Sequence, residues 1–423
     1  MPRPQDQQNE QNTKQNTMWA WHDAMKVRRV INVSGTMTGL GASVLSRDVQ
    51  TAMAQAGASF VDMHALQARA SAGIARLTGA EAGFLTASAS AGISLAIAGC
   101  MTGLDAARAE ALPADPGAKS HVVIQAGHLC HYGAPVETAI RLTGASPRAI
   151  GQSTHVMDHQ LAGALCEHTA AALYVASHHV VHYGQIPLKR FVDMCHRADV
   201  PVIVDAASEY DLTGFLAAGA DLVIYSAHKF LGGPTGGIVA GRREAVRAAY
   251  LQNIAIGRGM KIGKESIAGA IAAIQAWQTR DHRADYQAYG RTLRTWQAAL
   301  QDLAGIKTTL VDDPTGNPLQ RLQVNINPTQ AGATAAEFAQ ALADQDPAVI
   351  VRAHEIDLGY FQLDPCNLLL GQETLVTDTL GRVLGDPKSV RKDDDMPSRL
   401  RNKAVDSYLR WQGHTEAKTP ATG

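Results

Sequence analysis

Two residues that could carry out chemistry follow neighbouring apolar runs in the middle of the chain. The first run ends at Asp205, and the second, at residues 221–225, leads through Ser226 to Lys229. A glycine-rich segment, GGPTGG at residues 232–237, comes shortly after the lysine. Glycine allows a backbone to turn tightly and to approach a ligand closely. The pattern therefore places one fixed carboxylate and one reactive amine beside a loop that can hold a small ligand.

A carboxylate and a lysine in this arrangement suit the chemistry of pyridoxal 5′-phosphate (PLP). Lys229 would hold PLP as a Schiff base and later move protons as general base and acid. Asp205 would pair with the pyridine nitrogen and favour its protonated form, which withdraws electrons from the substrate. The same residues have plainer interpretations, because lysines flanked by glycines occur in many loops and a strand-end aspartate often caps a helix.

Three segments resemble one branch of the fold-type-I PLP enzymes, the branch containing bacterial selenocysteine synthase and D-glucosaminate-6-phosphate ammonia-lyase. They are DLVIYSAHKFLGGPTGGIVAG (221–241), RVINVSGTMTGLGAS (29–43) and GRGMKIGKES (257–266), and the resemblance covers roughly residues 27–384. It implies an α/β architecture, the fold-type-I PLP-dependent transferase fold. A mainly parallel central sheet flanked by helices is expected, with a smaller α+β C-terminal domain.

The segment after the predicted strand 82–86 is a candidate phosphate site. Ser88, Ala89 and Ser90 lie in a turn of small residues that leads into an apolar helix. The free N–H groups and the dipole at a helix N-terminus favour an anion, and serine hydroxyls add donors. The alternative is ordinary helix capping by Ser90.

Further cofactor contacts are expected near the ends of parallel strands, where ligands collect in such sheets. Ser177 follows the predicted strand 171–176, and Ser226 and His228 flank the start of the lysine loop. The resemblance also implies a ring that stacks on the pyridine from the segment after strand 121–125. His128 is the first candidate and Tyr132 the second, although both could instead pack beneath a helix.

The resemblance implies substrate contacts on three further segments. The loop after the first strand carries Thr36, Thr38 and Ser43. The cationic loop after the lysine strand carries Arg258 and Lys261, either of which could reach a phosphate or carboxylate, also across a subunit interface. In enzymes of this fold an arginine of the small domain often holds the substrate carboxylate, and Arg352 is placed for that role because its guanidinium can bind bidentately. The alternative for the loop after the first strand is a surface turn, for Arg258 a solvated charge and for Arg352 an ordinary salt bridge.

The resemblance implies a lyase that catalyses α,β-elimination. An ammonia-lyase or dehydratase of this kind converts a β-hydroxy amino acid or amino-sugar acid into a 2-oxo acid and ammonia. A PLP-dependent aldolase or racemase, a selenocysteine-synthase-like transferase and a non-catalytic PLP-binding protein are the alternatives. The chain has a near-neutral net charge and no basic RNA-binding segment, which argues against the transferase.

Composition sets the remaining expectations. The chain has 423 residues, 46% of them apolar, and a net charge of −1, so it should be globular with neither nucleic acid nor membrane as a partner. Five scattered cysteines without CxxC spacing suggest reduced thiols in the cytoplasm. No metal-ligand pattern, secretory signal or membrane span is evident. We expect a small-molecule amino acid substrate and a homodimer or larger homo-oligomer.

Domain boundaries follow from composition and periodicity. We expect an N-terminal arm (1–26) with disorder over residues 1–17 and a short helix at 19–26, a large PLP-binding domain (27–290), a small α+β domain (291–385) that can also pack with the N-terminal segment, and a polar C-terminal extension (386–423). Within the small domain, strands are predicted at 307–311, 319–326, 348–354 and 367–370, and the extension is expected to be only partly ordered because it has little to bury.

Overall fold

The computed structural model of the chain describes residues 18–411. The segment 1–17, predicted to be disordered, and the last residues of the polar extension, 412–423, lie outside the described residues. The chain divides into two compact units. The larger unit contains Thr36–His282 and Asp312–Leu319, and the smaller unit contains residues 18–35, Arg283–Val311 and residues 320–411.

The strands are β1 (Val30–Val33), β2 (Ala82–Thr86), β3 (His121–Gln125), β4 (Ser146–Ile150), β5 (Thr169–Val175), β6 (Val202–Asp205), β7 (Leu222–Ser226), β8 (Gly237–Gly241), β9 (Ile306–Asp312), β10 (Gln320–Ile326), β11 (Ala348–Val351) and β12 (Tyr360–Leu363). Short 3₁₀ helices occupy Thr38–Leu40, Ala126–His128, Gln252–Ile254, Ile256–Met260, Ile356–Leu358 and Pro387–Ser389.

The helices are α1 (18–25), α2 (Arg47–Gly57), α3 (Met63–Thr78), α4 (Ala89–Thr102), α5 (Ala106–Ala111), α6 (Val136–Arg141), α7 (Asp158–Ala164), α8 (Leu188–His196), α9 (Gly214–Ala217), α10 (Arg243–Leu251), α11 (Lys264–Thr279), α12 (His282–Leu300), α13 (Pro328–Ala331), α14 (Ala335–Ala343), α15 (Gln372–Gly385) and α16 (Met396–Leu409). Along residues 18–411, none of these helices combines the length and the apolar character needed to cross a bilayer.

The larger unit is built on a seven-stranded sheet with the order β2-β8-β7-β6-β5-β3-β4. Its pairs are parallel except those of β8, which runs antiparallel to β2 and β7. Every residue of β2, β6, β7 and β8 is buried, because apolar clusters cover both faces of the sheet. Strands buried on both faces read as continuous apolar runs, which is why the sequence identified them. The predicted mainly parallel sheet flanked by helices is confirmed.

The smaller unit contains a three-stranded sheet, β12-β10-β9, and the parallel pair β1–β11. Its core is packed around large buried side chains such as Trp296, Phe338 and Phe361. The strand predicted at 367–370 was wrong. The strand in this region is β12, and the chain turns directly after it. In the turn, the buried Asp364 accepts a hydrogen bond from the Cys366 amide (3.0 Å) and forms a salt bridge with Arg321 (2.9 Å).

The polar extension contains more structure than its composition suggested. Helix α16 begins after Asp395, with a proline in its first turn. Val390 and Met396 are buried in the core of the smaller unit. Two apolar anchors are enough to dock this segment, although charged residues surround them in the sequence.

Candidate cofactor and active site

The ends of three adjacent parallel strands carry the residues that the sequence singled out. Asp205 ends β6, Ser226 ends β7, and Ser177 lies two residues beyond β5. The order β7-β6-β5 places these ends side by side at one edge of the sheet. Lys229 follows β7 by three residues, so the lysine loop starts at that edge. Ligands in open α/β sheets bind at such an edge.

Asp205 and Lys229 lie close enough for their charges to interact. Asp205 is buried and Lys229 is half-buried. Burial raises the pKa of Asp205 to about 6, against the opposing effects of the Lys229 charge and a hydrogen bond from the Ala207 amide (3.2 Å). Burial likewise lowers the pKa of Lys229, and the neighbouring acids Asp205, Glu209 and Cys130 oppose that shift. The amine can therefore lose its proton more easily than an exposed lysine.

Sequence reasoning missed two residues of this site, Ser208 and Glu209. The Lys229 ammonium donates a hydrogen bond to the Ser208 hydroxyl. Glu209 is buried, and burial raises its pKa to about 7. Both follow Asp205 on the same turn, in the segment DAASEYD. A glutamate among small residues at a strand end was the signal that could have identified the turn.

The loop Asp312–Leu319 holds this turn in place within the larger unit. The Asn317 side-chain oxygen accepts a hydrogen bond from the Tyr210 amide (2.8 Å), and its nitrogen donates to the Ser208 carbonyl (3.5 Å). Asn317 and Thr315 also form hydrogen bonds with the Glu209 carboxylate that lower its pKa. The order β9, loop, β10 gave no sign that this loop contributes to the site.

The predicted phosphate turn forms the first turn of α4. The N-cap is Ser88, whose hydroxyl accepts a hydrogen bond from the Ala91 amide (3.0 Å), so the alternative interpretation of Ser90 as the helix cap does not hold. The Ser90 hydroxyl instead lies 3.1 Å from the Tyr132 hydroxyl. Gly237 packs against the Ser88 backbone so closely that any side chain there would collide with it. The glycines after Lys229 therefore let β8 lie against the candidate phosphate turn, which begins at Ser88 and includes Ala89.

The two candidates for the stacking ring occupy different environments. His128 is buried, its Nδ1 accepts a hydrogen bond from the Val175 amide (3.2 Å), and burial lowers its pKa to about 4. Tyr132 is half-buried, and burial raises its pKa with further contributions from Asp205 and Cys130. Tyr132 is thus near both the strand-end carboxylate and the α4 turn, while the ring nitrogen of His128 is engaged by strand β5.

The lysine loop is anchored by short-range polar contacts. The Ser226 hydroxyl lies 3.0 Å from Nδ1 of His228, and both residues are buried. The Ser43 hydroxyl donates a hydrogen bond to the His228 carbonyl. Ser43 therefore contacts the backbone of the residue before Lys229, which brings the loop after β1 to the lysine.

The other predicted contacts lie at the edges of this arrangement. Ser177 is half-buried, and its hydroxyl accepts a hydrogen bond from the His179 amide (3.2 Å). Thr36 is half-buried and Thr38 exposed, and Arg258 is exposed on a 3₁₀ helix. Arg352 is buried in the smaller unit, where its backbone pairs with that of Gln362. Within residues 18–411, no three His, Cys, Asp or Glu side chains form a cluster that could hold a metal ion.

The donor set of this site suits PLP. A half-buried amine of lowered pKa can bond to the aldehyde, and the buried Asp205 carboxyl offers an acceptor for a protonated ring nitrogen. The capped N-terminus of α4 supplies N–H donors for a phosphate. These three groups belong to neighbouring parts of one sheet edge.

Comparisons with known proteins agree with this arrangement. Residues 30–335 match the family model described as SelA, L-seryl-tRNA selenium transferase. The chain is 35% identical to D-glucosaminate-6-phosphate ammonia lyase from Salmonella typhimurium, over 86% of this chain and 97% of that protein. It is also 35% identical to a 5′-C-glycyluridine monooxygenase-decarboxylase from a Streptomyces species, over 84% of this chain and 90% of that protein.

A solved structure of D-glucosaminate-6-phosphate ammonia-lyase has a TM-score of 0.78 at 35% identity, with 86% of this chain and 97% of that chain covered. A structure of SPT with PLP shares the fold at 16% identity, with a TM-score of 0.53 and coverage of 84% of this chain and 87% of that chain. The predicted fold-type-I architecture, PLP cofactor and lyase class are confirmed. The chain belongs to the SelA family of PLP-dependent enzymes, because the model of that family matches residues 30–335.

Proposed function

We propose that this chain catalyses α,β-elimination of a β-hydroxy amino acid. The α-proton and the β-hydroxyl group leave as water, and the resulting enamine is hydrolysed to a 2-oxo acid and ammonia. The observation that carries the proposal is that Asp205 and the Lys229 amine lie at one sheet edge, close enough for their charges to interact. The 35% identity to an ammonia lyase, over 97% of that protein, supports the reaction class.

Lys229 is the residue that we assign to cofactor binding and proton transfer. PLP, when bound, supplies the electron sink that makes the α-proton acidic. A general base works best when its pKa lies near the working pH, and burial moves the pKa of Lys229 downward in that direction. The Ser208 hydroxyl holds the amine at a defined position while it is free. Asp205 provides the negative charge that favours a protonated ring nitrogen.

The phosphate of the cofactor is assigned to the first turn of α4. Ser88 caps the helix with its hydroxyl, Ala89 is the first residue of the helix, and the Ser90 hydroxyl lies 3.1 Å from the Tyr132 hydroxyl. For the stacking ring we favour Tyr132 over His128, because Tyr132 contacts Ser90 and is influenced by Asp205. Ser177, Ser226 and His228 stay predicted cofactor contacts.

The proposed substrate class is an amino-sugar acid that carries a phosphate or a comparable anionic group. The ammonia lyase relative acts on D-glucosaminate-6-phosphate, which has a hydroxyl group on the carbon next to its amino-bearing carbon. Arg258 is exposed and positively charged, so it is free to recruit an anionic group. Thr36, Thr38, Ser43 and Arg352 stay predicted substrate contacts.

The test is a substrate screen on purified, PLP-loaded protein. D-glucosaminate-6-phosphate, the unphosphorylated acid, and D- and L-serine and threonine are each incubated with wild type and with the Lys229→Ala variant. Equal molar release of 2-oxo acid and ammonia by wild type alone is expected for at least one of them. Release of glycine and an aldehyde would identify an aldolase, and inversion without ammonia a racemase.

Three further outcomes would contradict the proposal. Oxygen consumption coupled to carbon dioxide release would place the chain with the monooxygenase-decarboxylase relative. Transfer of selenium to seryl-tRNA, without turnover of any free amino acid, would identify a transferase. A protein that binds PLP but converts none of these compounds would be non-catalytic.

We also propose that the protein acts in the cytoplasm as a homodimer or larger homo-oligomer, with the active site near the interface. All five cysteines are free thiols, which suits a reducing compartment. Phe60 is fully exposed and Val61 beside it is also exposed, which suits a surface that another subunit covers. Light scattering coupled to size-exclusion chromatography measures the assembly, and a monomeric mass at micromolar concentration would contradict it.

A further inference from the structure

Glu209 is a buried acid whose charge acts on Lys229, and none of the assigned roles uses it. It lies on the turn after β6, where its amide donates to the Ala206 carbonyl (3.1 Å). The side chain is only 7% exposed. The preceding residue, Ser208, is the hydrogen-bond partner of the Lys229 ammonium. A carboxyl group at this position affects the free energy of the charged lysine.

A small cavity of about 10 Å³ lies against this acid. Glu209 and Tyr225 both line it, and Phe230 and Trp277 are among the residues that form its walls. The Oε1 atom of Glu209 and the hydroxyl of Tyr225 are buried without a hydrogen-bond partner in the protein. Tyr225 is 1% exposed. Two such groups around one cavity point to a ligand that can bond to both.

The size of the cavity selects the ligand. A cavity of about 10 Å³ has room for one water molecule. One water can donate to the carboxylate and accept from the phenol, which satisfies both groups at once. Without it each group would keep the desolvation cost of a buried, unpaired polar atom.

We propose that Glu209 and Tyr225 bind one water molecule in this cavity, and that Glu209 held in this way is a positioning residue that stabilises the charged form of the Lys229 amine. The sign follows from charge alone, since a carboxylate favours a nearby ammonium. Burial raises the pKa of Glu209 to about 7, so it gains its charge near neutral pH. The proton affinity of the lysine therefore rises with the ionisation of Glu209.

Several other groups share this environment and must be held constant in any test. Asp205, Glu209 and Cys130 are the titratable groups that influence the pKa of Lys229. Lys229 and Asp313 influence the pKa of Glu209. Asp211 influences the pKa of Tyr225, and Lys229 that of His228. Glu209 differs from the other acids among them because it lines the cavity.

The inference rests on the assignment of Lys229 as the cofactor lysine, and the test separates the two. The variant is Glu209→Gln, which keeps the shape and removes the charge, and the control is Glu110→Gln, which removes an exposed glutamate. In the full-length PLP-free protein, labelling of Lys229 with an amine reagent is followed against pH by peptide mass spectrometry. This readout needs neither PLP nor turnover, so it can succeed even if the proposed reaction fails.

In Glu209→Gln the pH midpoint of Lys229 labelling should fall by about one unit, while Glu110→Gln leaves it unchanged. The visible absorbance of the PLP-loaded protein should show a pH transition shifted in the same direction. An unchanged midpoint in Glu209→Gln, or the same shift in the control, would overturn the role of Glu209.

Tyr225→Phe tests the water separately and keeps the carboxylate. It should lower the pH midpoint of Lys229 labelling in the wild-type background, because the carboxylate of Glu209 loses the water that stabilises its charge. It should have no further effect in Glu209→Gln, where the water has no charge to stabilise. Equal effects in both backgrounds would show that Tyr225 acts independently of Glu209. A crystal structure with no water within hydrogen-bond distance of both groups would overturn the cavity assignment.

Discussion

The Lys229 ammonium donates a hydrogen bond to the Ser208 hydroxyl, three residues after Asp205 on the turn that ends β6. One short turn thus places a carboxylate, a hydroxyl and, through Glu209, a second acid around a single amine. The turn is held by Asn317 from a loop more than a hundred residues away. The properties of Lys229 therefore depend on how well this turn is fixed.

Lys229→Ala should abolish covalent binding of PLP, because only a primary amine can bond to the aldehyde at this position. The yellow absorbance and the borohydride-reducible adduct should both disappear, as measured by spectroscopy and peptide mass spectrometry. Lys119→Ala, which removes an exposed lysine, is the matched control and should keep both. A reducible adduct on another lysine of Lys229→Ala would refute the assignment.

Asp205→Asn should retain PLP but lower kcat by about 10²–10³-fold, the usual loss for one preorganised electrostatic group. The amide keeps the shape of the carboxylate and no longer favours a protonated ring nitrogen. Cofactor occupancy and steady-state kinetics are measured together. Asp394→Asn, at an exposed aspartate, is the control. Turnover within a few-fold of wild type would contradict the role.

The same Asp205→Asn change should stabilise the PLP-free protein above about pH 6. The pKa of Asp205 lies above its ordinary value of 3.8, at about 6, so ionisation costs folding free energy. This loss of folding free energy is absent below about pH 4, grows between pH 4 and pH 6, and is complete above the folded-state pKa of about 6. We expect a gain of about 2–3 kcal/mol at pH 8, seen as a higher Tm, that disappears near pH 4. An equal gain at both pH values would indicate a cause other than ionisation.

Asn317→Ala should destabilise the protein by about 1–2 kcal/mol, because the Tyr210 amide loses its acceptor. The change should also lower kcat more than it raises KM, since the turn that positions Ser208 would loosen. Denaturation and steady-state kinetics measure the two effects, with Asn402→Ala on an exposed helical face as control. Lost stability with unchanged kcat would show that Asn317 has no effect on the lysine.

Much of the larger unit could be predicted because its strands are buried on both faces and therefore form uninterrupted apolar runs. The strand β12 could not be predicted, since YFQL is short and resembles the apolar run that follows it. Its identity is decided by pairing with β10, where Val324 lies opposite Phe361. Helix α16 was missed for a related reason, because only Met396 of that helix is buried.

For the site, the sequence by itself determined that Asp205 and Lys229 would follow the ends of adjacent strands, because residue type and strand periodicity are local properties. The neighbours of the amine were decided only by the tertiary structure. Ser90 meets Tyr132 and Glu209 meets Asn317 across long stretches of chain. Burial raises the pKa of Asp205 and of Glu209, and burial results from the packing of several segments that are distant in the sequence.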